Sequence, residues 1–369
     1  MVTTLNGFIT DIRYTPRLGS TLSAKPIHDF DVNEAPPSGL VTFSSGDQIA
    51  YSKWVSPKRT RSYPFARIYN TYHLNTKRVT IIPILKDEGA GTQNNDRINF
   101  ITFSWMNLLN VYIILAWYTD AKKRTDDTIT DQRMDAEYVR QKLVELSSYH
   151  ASALHWNTSH FLNDFVPTLR RAISSYQSLS ERLGVRLHTG RGHERFLARI
   201  SKPDGVFTIE GFKQGTFSRS MLAAFREVGT THRYESLSSG DKAIMSISNT
   251  LGGEYFLTVD EVYLENGVLV LQESKNSGKG GRLPKIDDVR DGLFRLILYA
   301  NLERLQINGI SAAFQVRLRL TGNFQGRLRL PDDSANIDEY CTMNQFSTEE
   351  TILVKRLYDE VMSNPQISV

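Results

Sequence analysis

The chain has 369 residues, 40% hydrophobic and 23% charged, with 44 Lys and Arg against 40 Asp and Glu for a formal net charge of +4. That length predicts two domains or one large decorated domain, with a composition suited to a folded globular core. The single cysteine, Cys341, excludes an intrachain disulfide and a cysteine-based zinc site, and fits a reducing cytoplasmic compartment.

The N-terminus, "MVTTLNGFITDIRYTPRLG", lacks the basic start and apolar run of a signal peptide. Residues 1–76, rich in Pro, Ser, Thr and Gly, predict loops and short strands. Within them "SPKRTRSYPFARIYNTYH" interleaves Lys58, Arg59, Arg61 and Arg67 with Tyr63, Phe65, Tyr69 and Tyr72. That mixture suits stacking on nucleic acid; it equally suits a loop packing its rings on a core. "KRVTIIPIL" predicts a buried strand, residues 99–109 a helix, and "VYIILAWY" a second buried strand, which together make a βαβ unit. Ser104, Asn107 and Asn110 break the apolar stretch 101–118, which falls short of the about 20 residues of a membrane span.

Helical spacing recurs over 126–150 and again over 160–184, where Gly184 supplies the stop. The two helices read as a spacer or dimerisation element. "HWNTSH" (His155, Asn157, His160) is too tightly spaced for an HNH nuclease and predicts structural roles, and no acid stands two residues before Lys86 in "ILKDEG". "GRGHERFLARISKPDG" reads as a basic loop, and "SRSMLAAFREVG" and "SGDKAIMSISNTLGG" as helices. A hairpin follows, then a helix near 286–306, the strand "SAAFQVRLRLTG", and a final helix opened by the capping box of "STEETILVKRLYDEVMSN".

The hairpin carries the chemistry. In "TVDEVYLENGVLVLQESKNS", Asn266-Gly267 predicts a type I′ turn, because both positions need φ > 0. Glu265 then pairs with Val268, Leu264 with Leu269, Val262 with Leu271 and Asp260 with Glu273. Alternation puts the last three pairs on one face, and Lys275 extends it. Opposed carboxylates beside aliphatic rungs repel each other. A hard divalent cation between them offsets that repulsion, and Lys275 can compensate charge, orient a water or stabilise an oxyanion.

Asp260 followed on the adjoining strand by Glu273-Ser274-Lys275 resembles the PD-(D/E)xK nuclease superfamily, which includes most type II restriction endonucleases. The likeness covers residues 217–330; Val259 stands where that family usually has proline. The resemblance implies a mixed α/β fold: a restriction-endonuclease-like core of a mixed central sheet flanked by helices, beside an N-terminal α/β region and long central helices. It implies that Asp260, Glu273 and Lys275 are catalytic, and that Asp260, Glu273 and the Ser274 carbonyl hold Mg²⁺, for which Mn²⁺ can substitute. Some relatives carry Gln-x-x-x-Tyr in the next helix, where this chain has Arg295 and Tyr299; others add an acid from the preceding helix, for which Glu227 and Glu254 are the candidates.

Phosphate contacts are expected from Lys279, Arg282 and Lys285 of the glycine-rich "NSGKGGRLPK", and from Arg317, Arg319, Arg327 and Arg329 of "RLRLTGNFQGRLRL". A flexible loop and a solvated sheet face explain the same residues. The expected division is 1–125 as an N-terminal α/β region with a DNA-recognition role, 126–184 as helical spacer, 185–335 as catalytic core and 336–369 as C-terminal helix and tail. The function expected is a site-specific endonuclease that cuts double-stranded DNA to leave 5′-phosphates, working as a homodimer in a prokaryotic cytoplasm beside a DNA methyltransferase. A repair or defence nuclease of the same fold, and a non-catalytic DNA-binding protein, are the alternatives.

Overall fold

The computed structural model describes residues 3–58, 63–91, 95–216, 241–249, 254–307 and 309–369. It is a mixed α/β structure with several sheets, as the element pattern predicts. Two compact units interleave along the chain: residues 1–21, 68–75 and 221–369 make one, and 22–67 with 76–220 the other. The expected linear division, by contrast, ran segment after segment. The reason for the difference lies at the start of the chain, where the Thr3–Ile9 strand enters a sheet built otherwise from residues 241–368.

The unit of residues 22–67 and 76–220 holds a five-stranded sheet in the order Ala24–Pro26, Ser38–Thr42, Gln48–Lys53, Lys77–Pro83, Tyr112–Ala116. Lys77–Pro83 and Tyr112–Ala116 are parallel neighbours, joined through the buried Phe100–Leu108 helix, so the βαβ unit is present. Asn99 caps that helix, its Oδ1 accepting from the Thr102 amide at 3.1 Å.

The next segment departs from expectation. Tyr118–Thr125 and Thr128–Met134 form an antiparallel hairpin, and the helix starts only at Ala136, after the Asp135 cap. The Ala153–Leu183 helix ends at Gly184 with φ 59°, as the glycine stop predicts. It packs on Tyr112–Ala116 and Tyr118–Thr125 and buries Phe161, Phe165 and Leu169, so it belongs to this unit's core instead of forming a spacer. Asn157 accepts from the Ile113 amide at 2.7 Å and His160 Nε2 from the Leu115 amide at 2.9 Å, which gives both the structural roles expected of them. Residues 191–200 are helix, not loop, because His193, Phe196, Leu197 and Ile200 recur at helical spacing and are buried.

The other unit is built on an eight-stranded mixed sheet. Its order is Ile310–Ser311, Arg304–Ile307, Thr3–Ile9, Asp241–Asn249, Glu254–Glu265, Val268–Asn276, Phe314–Thr321, Ile367–Ser368. Asp241–Asn249 was expected to be helical. Ala243, Met245 and Ile247 are instead buried at strand spacing, and the segment is paired on both sides. The helix expected over 218–229 lies outside the described residues.

The Ile286–Ala300 helix packs on Val268–Asn276 and Phe314–Thr321, which are parallel. It stops short of the expected 306, because Arg304–Ile307 pairs with Thr3–Ile9. The Thr348–Ser363 helix carries the predicted Ser347/Glu350 capping box, and a Ser334–Met343 helix precedes it, with Cys341 buried. Among the described residues no helix is long and apolar enough to cross a membrane.

Candidate active site

Asn266 and Gly267 have φ of 52° and 80°, the signs a type I′ turn requires. The register follows as predicted: Glu265 faces Val268, Leu264 faces Leu269, Val262 faces Leu271 and Glu261 faces Gln272. The ladder ends there, and Asp260 stands one step beyond. On its other edge the strand bulges, since Val262 opposes Asp241 while Val259 opposes Ala243, leaving Asp260 and Glu261 against one residue. A bulge twists the strand and re-aims a side chain. The Asp260 carboxylate turns to the hairpin partner, where Oδ2 accepts from the Ser274 amide at 3.0 Å.

Glu273 is fully buried. Burial pushes its carboxyl up to about 8 against the opposing pull of Arg295, and Asp260, within hydrogen-bonding reach, raises it further. Two residues on, Lys275 Nζ lies 2.8 Å from Asp291 Oδ2. The Ile286–Ala300 helix covers this face. Tyr299 donates its hydroxyl to Glu273 Oε1 at 2.8 Å, and Arg295 Nη1 lies 3.4 and 3.3 Å from the two carboxylate oxygens. Asp291, Arg295 and Tyr299 recur every fourth residue, one turn apart on a single helix face.

The structure thus brings together Asp260, Glu273, Ser274 and Lys275, all four inferred from sequence. Sequence reasoning placed Arg295 and Tyr299 at a motif spacing without giving them a partner, and missed Asp291. Its spacing to Arg295 is the same as that of Arg295 to Tyr299, and this was the available signal.

The opposite face of the hairpin is also polar. Gln272 donates to Glu261 at 2.8 Å and accepts from the Tyr263 hydroxyl at 3.0 Å. Arg317 reaches Tyr263 at 2.7 Å and Glu265 at 2.6 Å, and its guanidinium holds the Glu265 carboxyl down to about 2. Arg319 lies 3.6 Å from Glu261.

The arginines expected to face DNA therefore alternate on one strand face as predicted, but both carry internal acidic partners. Arg327 and Arg329 follow the strand's end and are exposed, with Arg329 3.4 Å from Glu265. Arg282 donates to the Gln345 carbonyl, while Lys279 and Lys285 are exposed. Of the additional acids, Glu227 lies outside the described residues. Glu254 begins the Asp260 strand, six residues before Asp260, which is about 20 Å along the strand at 3.4 Å per residue. In the aromatic, basic segment, Phe65, Tyr69 and Tyr72 are buried and Arg67 donates to the Lys53 carbonyl, which fits core packing; Arg59 and Arg61 lie outside the described residues.

No known protein family, curated protein or solved structure matches the chain.

The raised Glu273 carboxyl has a measurable consequence. Its folded-state value, about 8, exceeds the unfolded carboxylate value near 4.3, so the native state binds the extra proton between them. Stability is full below the unfolded value and falls as pH rises towards 8, with a slope of at most about 1.4 kcal/mol per pH unit. Urea midpoints taken from pH 5 to pH 8 should decline in the wild type and run flatter in Glu273→Gln. Parallel curves would show that Glu273 titrates normally.

Proposed function

We propose that this chain is a Mg²⁺-dependent DNA endonuclease of the type II restriction class, leaving 5′-phosphate ends. The observation that carries the reading is the placement of Asp260 and Glu273 on adjacent strands, one step beyond the last ladder pair, with Lys275 two residues on from Glu273. The order of antiparallel hairpin, covering helix and a further strand parallel to the second hairpin strand supports it.

Asp260 and Glu273 lie on adjacent strands and the nearby Asp260 disfavours the charged Glu273, so a cation held between the two would offset their repulsion. Asp260, Glu273 and the Ser274 carbonyl offer oxygen ligands only, which suits Mg²⁺ and admits Mn²⁺. When bound, the ion supplies Lewis acidity to a phosphodiester and a more acidic water. The protein's own residues do the rest. Tyr299 and Arg295 hold the Glu273 carboxylate from the helix side and fix the direction of its oxygens. Lys275 presents an ammonium beside the pair, where it orients water or meets charge developing on the phosphate. Lys279, Lys285 and Arg327 are exposed cations for the DNA backbone. A palindromic target calls for a two-fold dimer.

The test is digestion of plasmid DNA by the purified chain. Discrete fragments with Mg²⁺ or Mn²⁺, abolished by chelation, are the expected result. A smear would move the assignment to a repair or defence nuclease without strict sequence specificity, and no cleavage across many sequences would overturn it. An adjacent methyltransferase gene would favour restriction. A second reading, a non-catalytic DNA-binding protein, draws on one observation: Glu273 and Lys275 already have internal partners in Arg295, Tyr299 and Asp291. DNA binding without cleavage would favour it.

A further inference from the structure

A lysine side chain has a flexible four-carbon stem, and holding its ammonium at one point costs rotamer entropy. Something must therefore hold Lys275 if it serves the site. Two neighbours on the Ile286–Ala300 helix do so. Asp291 takes the ammonium at 2.8 Å, and both side chains are more than four-fifths buried, at 17% and 18% exposure. The stem lies on Gly292. A Cβ built there would stand 2.7 Å from Leu318 Cδ1, 3.1 Å from Lys275 Cε and 3.3 Å from Lys275 Cγ.

Glycine inside a helix is unfavourable relative to alanine. Space explains it here, since the missing methyl would occupy the channel between Leu318 and the lysine stem. Asp291 also lies in the field of Arg295, whose guanidinium it helps keep charged.

We propose that Asp291 and Gly292 position Lys275, Asp291 by gripping its ammonium and Gly292 by opening the channel for its stem. The two residues thus determine where the site's ammonium stands relative to Asp260 and Glu273. This inference rests on the nuclease reading for its catalytic consequence, but not for its structural content.

The experiment has two arms. In the first, surface acylation of lysines is mapped by peptide mass spectrometry on the full chain. Labelling of Lys275 should rise several-fold in Asp291→Ala while that of Lys279 and Lys285 stays constant. Unchanged Lys275 labelling in a variant with wild-type circular dichroism would overturn the proposal, whether or not the protein cuts DNA.

The second arm measures single-turnover cleavage at saturating Mg²⁺. Asp291→Asn and Gly292→Ala should each slow the cleavage step by about 10- to 100-fold, with DNA affinity within two-fold of wild type. Asp291→Glu should recover most of the loss. In a Lys275→Ala background neither substitution should slow the residual rate further, because residues acting through one group are not additive. Additive losses in that background would mean a general structural role and would overturn the proposal. If wild type cuts nothing while the labelling behaves as stated, the nuclease reading fails and the positioning stands.

Discussion

Asp260→Ala and Lys275→Ala are expected to lower Mg²⁺-dependent cleavage by at least about 10²- to 10³-fold, the range for removing one group that stabilises developing charge. The substitutions act on different parts of the same reaction. In the proposed mechanism Asp260 supplies ligand oxygen, so its loss should shift the Mg²⁺ requirement to higher concentration as well as lowering the rate. Lys275 is proposed to supply charge at the reacting phosphate, so its loss should lower the rate with the Mg²⁺ midpoint nearly unchanged.

Neither change should unfold the protein. Asp260 is only half-buried and gives up one hydrogen bond to the Ser274 amide, a contribution of about 1 kcal/mol. Truncating Lys275 leaves Asp291 unpaired but partly hydrated. DNA affinity should persist, because the exposed cations Lys279, Lys285 and Arg327 remain. Filter binding with Ca²⁺ alongside a cleavage time course makes the comparison. Wild-type cleavage rates in both variants would remove Asp260 and Lys275 from the chemistry and take the proposed mechanism with them.

Local rules made the hairpin legible. Asn266-Gly267 has one favoured turn, that turn sets the register, and the register places Asp260, Glu273 and Lys275 on one face. The bulge at Asp260 and Glu261 was not legible, because it arises from pairing with a strand mistaken for a helix. "SGDKAIMSISN" has alternating apolar positions as well as helical ones, and only its two neighbours, one of them the Thr3–Ile9 strand at the far end of the sequence, decide between them. Long-range pairing also put the start of the chain in the same unit as its end. Asp291 escaped notice for a similar reason: a charged residue on a helix is ordinarily solvated, and only the approach permitted by Gly292 brings it to Lys275. Arg317 shows the converse, since its alternation with Arg319 was legible but its commitment to Glu265 was not.

The largest stability loss is expected at Glu360, far from the candidate ligands in sequence. Glu360 is fully buried on the Thr348–Ser363 helix, and its carboxylate accepts from the Tyr14 hydroxyl at 2.6 Å, the Tyr69 hydroxyl at 2.7 Å, the Leu18 amide at 3.2 Å and the Arg17 amide. Three distant segments meet on one side chain. Arg290, next to Asp291 on the site helix, donates its Nε to the Leu18 carbonyl at 2.9 Å, so the knot also anchors the helix that carries Asp291, Arg295 and Tyr299.

Glu360→Ala removes the acceptor and strands buried donors, each of which costs about 1–3 kcal/mol when unsatisfied. A total loss of about 3–5 kcal/mol in urea denaturation is expected, against about 1 kcal/mol for Tyr14→Phe or Tyr69→Phe alone. Burial raises the Glu360 carboxyl above its ordinary value despite these donors. The wild type therefore loses part of this stability as pH climbs above the unfolded value, and Glu360→Gln, which cannot titrate, does not. The stability gap between wild type and Glu360→Gln should narrow from pH 5 towards pH 8. A gap that widens instead would mean that the carboxylate is held ionised, with its four hydrogen bonds outweighing its desolvation.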